Sequence, residues 1–318
     1  MDSTKPSWRK GVSIMLNRQA DSLIWLARMI ERAENNARML EVYYAESTEE
    51  KEAYWESLIA VTGDVALFRQ HYDQIDALSA FDFLSFSDKN PNSIYQCLRQ
   101  ARENALVVRE TLPNEIYEVV NAFYLVVRSC AEKLTGKAPL EFLHLVKKRS
   151  FLFQGMIEAI LPQGKGWSFL QLGRYLERAD KTARIIDAAN AHPYKEKENL
   201  WLRVLLSVSA YEAYQREWCG RMGPREVIDF LIHQPDFPRS LRFSIAQALE
   251  AAQKAFKNGL PIAEPIKLLE QLDQYLRFNT IDEIERQGVH FFLQSFLREN
   301  NKVGFAVNKI LFHSRDSA

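Results

Sequence analysis

The chain has 318 residues, 47% of them apolar and 26% charged, with 41 basic residues against 41 acidic ones. That length holds one large domain or two ordinary ones, and the charge balance excludes a bulk electrostatic pull toward nucleic acid or an anionic membrane surface. Cys97, Cys130 and Cys219 are odd in number and form no CxxC pair, so neither a disulfide framework nor a zinc site is indicated, and a cytoplasmic location is expected.

In chain order, residues 1–14 read as an N-terminal tail without a signal-peptide pattern. The first strong element follows: Leu23, Leu26, Met29, Ile30, Ala33, Ala37 and Leu40 recur at steps of three and four, which places them on one helical face. Further helix starts are predicted at Asp21-Ser22 and in the segments 90–93, 111–115, 223–226, 237–240 and 280–283, from early prolines and capping boxes. Alternating β-branched runs and Asn-Gly or Asp-Gly hairpin dipeptides are missing. The predicted fold class is all-α. No membrane span is expected, because the apolar stretch 200–211 carries Arg203 and the stretch 119–127 is only nine residues long.

The sequence is also doubled. Residues 22–41 and 168–187 share eight of twenty positions, where chance gives about one. At the same 146-residue offset Trp55 meets Trp201, Phe68 meets Tyr214 and Tyr72 meets Trp218. After a one-residue slip, Pro91, Ser93 and Ile94 meet Pro238, Ser240 and Leu241. The predicted organisation is a tail (1–14), a first helical repeat (15–133), a helical connector (134–167), a second repeat (168–281) and an extension without a counterpart (282–318). The connector holds an apolar run at 141–160, unlike a flexible Gly/Ser linker, so the repeats are expected to fuse into one body about a pseudo-two-fold axis.

The best-preserved part of the repeat is charged. Arg28, Glu31, Glu34 and Arg38 fall on one strip beside the core face, and Arg174, Glu177, Asp180 and Arg184 repeat it. Intrahelical pairing of Arg28 with Glu31 and Glu34 with Arg38 accounts for the spacing, at roughly 0.2–0.5 kcal/mol each. It does not account for the choice of base. Lysine makes up 17 of the 41 basic residues, yet all six motif bases, including Arg32 and Arg178, are arginine. Planar two-point pairing needs arginine, whereas an exposed pair accepts either base. Two readings stay open: a buried Arg–Glu network clamping the halves, or a site for an anionic or amide-bearing ligand. A metal is not expected, since bundle di-metal sites need E-x-x-H on two helices, and arginines beside each acid pair repel a cation. No cofactor is expected either, because Walker, G-x-S-x-G and HExxH motifs are missing. The paired helix starts at Asn90, Ser93, Arg239 and Ser240 read as caps, or as anion-binding helix N-termini.

The segments 15–42, 166–188 and 237–245, with their ERAE and ERAD motifs, resemble the bacterial Alpha-E family over about 15–300. The resemblance implies an all-helical domain encoded beside, or fused to, a circularly permuted ATP-grasp ligase, often with a transglutaminase-like peptidase, in systems proposed to make or modify peptides by amide ligation. Lys165 stands where the family pattern leads one to expect an acid. Two functions are therefore expected as alternatives. One is a non-catalytic scaffold or substrate-presenting partner of the ligase. The other is an enzyme of the same pathway that uses Glu31 or Glu177 as general acid/base while arginines hold a carboxylate.

Overall fold

A computed structural model describes residues 8–45, 52–62, 65–133, 140–192, 198–218, 222–256 and 263–313, and within them the chain forms fifteen helices and no strand. The first seven are α1 (Trp8–Ala45), α2 (Glu52–Thr62), α3 (Val65–His71), α4 (Ala77–Ser85), α5 (Ile94–Val107), α6 (Asn114–Lys133) and α7 (Leu140–Ile160). There follow α8 (Lys165–Ala191), α9 (Glu198–Ser207), α10 (Tyr211–Trp218), α11 (Pro224–His233), α12 (Leu241–Phe256) and α13 (Glu264–Phe278), then α14 (Ile281–Gln287) and α15 (Val289–His313). No helix among the described residues is long and apolar enough to cross a membrane.

The two motif helices lie against each other at the centre. Around them the neighbours run in parallel: α1 packs on α5 and α7, α5 on α6, and α6 on α7, while α8 packs on α12 and α15, α12 on α13, and α13 on α15. The halves also interlock, with α9 against α1 and α2 against α8. Small residues permit the central approach. Ala33, Ala37, Ala179 and Ala183 are fully buried, and a Cβ built on Gly173 would strike the carbonyl oxygen of Ile24 and lie 3.0 Å from its Cα. Gly173 therefore lets the two backbones touch, where its counterpart Ala27 carries a methyl.

Matching aromatic clusters fix the flanking helices. Phe68 stacks on Tyr72 at 4.7 Å and meets Phe83 edge-on at 5.1 Å; Tyr214 stacks on Trp218 at 6.1 Å and meets Phe230 edge-on at 5.4 Å. Trp55 and Trp201 are fully buried, and truncating such a side chain typically costs about 3–5 kcal/mol.

Several boundaries differ from the sequence reading. The first helix starts at Trp8, so Asp21-Ser22 lies in its interior and residues 8–14 are helical. Between Pro6 and Asp21 no proline interrupts the chain, and a single glycine, Gly11, does not stop a helix. The capping box at Thr280 and Glu283 forms, but α14 is short because Gly288 adopts φ 93°, a left-handed conformation that suits glycine. The extension ends in α15, which packs on α8 and α13. Its Phe292, Leu293, Phe296 and Leu297 are buried there, while Phe291 stays exposed.

Candidate functional site: a reciprocal Glu-Arg clasp

A helix polar on most faces is stable at the centre of a protein only if its polar groups find partners. In α1 and α8 they find each other. Arg32 grips Glu177 at two points, Nε to Oε1 at 2.6 Å and Nη2 to Oε2 at 3.0 Å. Arg178 grips Glu31 in the same way, at 2.8 and 3.0 Å. Each glutamate-arginine dipeptide thus embraces its copy on the facing helix, and both glutamates are essentially inaccessible to solvent.

A second layer supports the first. Arg28 donates through Nε to Glu177 at 3.0 Å, and Gln154 of α7 donates to Glu31 at 3.2 Å. Arg239, delivered by the turn before α12, reaches Asn35 at 2.8 Å and Glu34 at 2.7 Å and touches Glu31 at 3.4 Å. Arg38 closes on Glu34 and on the hydroxyl of Ser209, a residue held at φ 51°. In the other half Arg184 pairs with Asp180 at 2.8 Å. The turns before α5 and α12 are tied down alike: Asn36 donates to the carbonyl of Asn92 at 2.7 Å, and Thr182 to the carbonyl of Arg239 at 3.0 Å.

One cation stands at non-equivalent positions around the two motif helices. Asn35 and Arg239 correspond to Lys181 and Asn92 at the repeat offsets. In one half the positive charge comes from the turn; in the other it comes from the motif helix, where Lys181 is buried near Glu177 and Asp180. Asn92 then accepts from Arg32 Nη1 at 2.7 Å.

The electrostatics follow from this crowd of cations. Burial alone would raise the carboxyl pKa of Glu177, but Arg32 and Arg28 outweigh it and hold the group well below the usual range. Burial likewise opposes ionisation of Glu31, and Arg178 and Arg239 override it. Glu34 is brought down to about 2, burial again being overcome by Arg239 and Arg38. A carboxylate held this way is an anion at neutral pH and a poor proton acceptor. Burial pushes the Cys97 thiol, beside this network, up to about 11.

The sequence-predicted residues are therefore mostly brought together, with changes of partner. The expected Arg28–Glu31 pair does not form, since Arg28 turns across to Glu177; the Glu34–Arg38 pair does. Arg32 and Arg178, grouped in the sequence only as motif bases, are the principal partners. Arg174 and Arg184 are partly exposed, and Arg174 meets Gln171 at 3.5 Å and Glu158 at 3.9 Å instead of an acid of the motif. Ser93 and Ser240 cap α5 and α12, accepting from the amides of Gln96 and Phe243 at 3.2 and 3.0 Å, and Asn90 is buried and bonded to the carbonyl of Phe83. Asn35, Asn36, Asn92, Gln154 and Thr182 were not singled out, although the pairing of Asn92 with Arg239 across the repeat was visible in the alignment.

This is a single all-helical body whose two central helices exchange Glu-Arg pairs. The chain belongs to the Alpha-E family, described as a predicted alpha-helical domain with a conserved ER motif, which it matches over residues 15–312. Uncharacterized proteins of Mycobacterium tuberculosis (strains H37Rv and CDC 1551) and Mycobacterium bovis are 22% identical over 295 residues, which cover 84% of this chain and 33% of theirs. The chain thus spans about a third of the length of these curated relatives. No solved structure matches it.

Proposed function

We propose that the protein is a non-catalytic scaffold or substrate-presenting partner of a circularly permuted ATP-grasp amide ligase, in a cytoplasmic system that makes or modifies peptides, with a transglutaminase-like peptidase as a further partner. The observation that carries the non-catalytic part is the closure of the clasp: Glu31 and Glu177 each accept from arginines at two or more points and are buried. A general base needs a pKa near neutrality and access to substrate, and neither glutamate offers these. The ligase part rests on family membership, and the greater length of the mycobacterial relatives supports a domain that works joined to other protein. The parallel packing of the halves supports a pseudo-two-fold relation between two copies, for which the reciprocal clasp serves as the join.

The test is to purify the chain with the ATP-grasp ligase encoded in the same genome. The two should co-elute, and ligation should require this chain. Conversion of a peptide or amino-acid substrate by the isolated chain, without ligase or ATP, would replace the scaffold with an enzyme.

A further inference from the structure

Arg28 donates to Glu177 through Nε alone. The outer end of its guanidinium lines a cavity of about 200 Å³ between α1, α8 and α15. Nη1 lies 3.7 Å from the point where a Cβ on Gly304 would stand, so the fork points toward α15 over a residue with no side chain. The walls are apolar, formed by Ile24, Leu172, Leu176, Phe305 and Val307, and two amides, Asn301 and Asn308, also line it. Trp25 lies under the guanidinium at 4.9 Å and holds it in place. No acid is among the described lining residues.

The other copy shows what is missing. Arg174 is the counterpart of Arg28, and there the protein supplies its own carboxylate: Glu158 of α7 lies 3.9 Å from Arg174 Nη1 and accepts from Gln171 at 2.6 Å. On the Arg28 side α15 brings glycine, asparagine and valine to the same kind of guanidinium. We propose that this cavity binds a small monocarboxylate with an apolar body and an amide, in the pattern of an N-acylated aliphatic amino acid. Its carboxylate pairs with the free end of Arg28, its amide meets Asn301 and Asn308, and its side chain lies among Ile24, Leu172, Leu176 and Val307. The volume falls below the ~300–1,000 Å³ of drug-sized sites, which suits an amino-acid-sized ligand. The site lies within this chain, so it stands independently of the ligase partnership.

The test uses the full chain without partners, titrated calorimetrically with N-acetyl-L-leucine and with its uncharged amide, N-acetyl-L-leucinamide. The acid should bind one to one at millimolar concentration or below, and the amide about tenfold more weakly or worse, as expected for loss of a charge-assisted hydrogen bond. Gly304→Leu fills the cavity beside the outer end of Arg28, leaves the Arg32–Glu177 and Arg178–Glu31 pairs untouched, and should abolish binding while helicity is retained. Asn308→Asp, at a half-buried position that leaves the packing alone, places an acid in the lining and should weaken binding of the acid more than that of the amide. Absence of binding by the acid, equal binding of acid and amide, or binding unchanged in a folded Gly304→Leu or Asn308→Asp protein would each overturn the proposal.

Discussion

Arg32 and Glu177 are 145 residues apart in sequence and meet in a two-point ion pair at 2.6 and 3.0 Å. Because Arg178 and Glu31 repeat the arrangement, the join between the halves is made twice by the same dipeptide. Truncating Glu177 to alanine leaves Arg28 and Arg32, both largely buried, without their carboxylate. A loss of about 3–5 kcal/mol is expected, as for other broken buried pairs. Chemical denaturation of Glu177→Ala beside wild type measures it. A change within ~0.5 kcal/mol, the range of surface substitutions, would contradict the clasp.

Arginine is required for shape as well as charge. Arg178→Lys keeps the charge but loses the planar fork, so Glu31 keeps a contact to Arg239 and Gln154 and loses its two-point partner. The expected cost is roughly 1–3 kcal/mol, in the range for a buried group left partly unmet. Full stability in Arg178→Lys would mean that the fork is not what selected arginine.

Gly173→Ala tests the close approach. Helix propensity alone favours alanine over glycine by about 0.8–1.0 kcal/mol, but the added methyl collides with the Ile24 carbonyl. Backbone cannot rotate away, so α1 and α8 must separate, and overpacking of this kind typically costs about 1–3 kcal/mol. A lower melting temperature is expected. A higher one would show that propensity wins and that the helices are not in backbone contact.

Stability should fall in acid with a defined window. Glu34 has its pKa lowered from 4.5 to about 2 in the folded chain, and Glu31 and Glu177 are lowered as well. A depressed carboxyl pKa means that the unfolded chain binds the proton more tightly, so the contribution is complete above about pH 4.5 and is lost as pH falls toward 2. The denaturant midpoint should drop through that window. In Arg239→Ala, where Glu34 retains only Arg38 as an arginine partner, the drop attributable to Glu34 should be shallower. A midpoint that is flat from pH 5 to pH 2 would contradict these ionisation states.

The helical class was legible in the sequence because it depends on spacing along one chain. The choice of arginine for all six motif bases, in a chain that also uses many lysines, pointed to planar two-point pairing without saying whether the strip is buried. Of the six, only Arg38 and Arg178 are buried. The partners were not legible. A helical wheel gives the direction in which Arg28 or Arg32 leaves its own helix, and the crossing of α1 and α8 decides which acid each one meets. That crossing depends on Gly173 and on four alanines, residues that leave no charged signature. Arg239 was read as a helix-start residue because its neighbours Pro238 and Ser240 are helix-start residues; its role in the network exists only once α12 packs on α8.

The most direct test of the clasp is a double-mutant cycle on Glu31 and Arg178, with Glu31→Gln, Arg178→Gln and the double variant unfolded by denaturant beside wild type. The two residues are 147 positions apart, and contact between them across the halves predicts an interaction energy of about 0.5–3 kcal/mol, with the double variant less damaged than the sum of the singles. Additivity within ~0.3–0.5 kcal/mol would mean that the two residues do not stabilise the fold through each other, and the clasp would no longer explain why this chain spells Glu-Arg on both central helices.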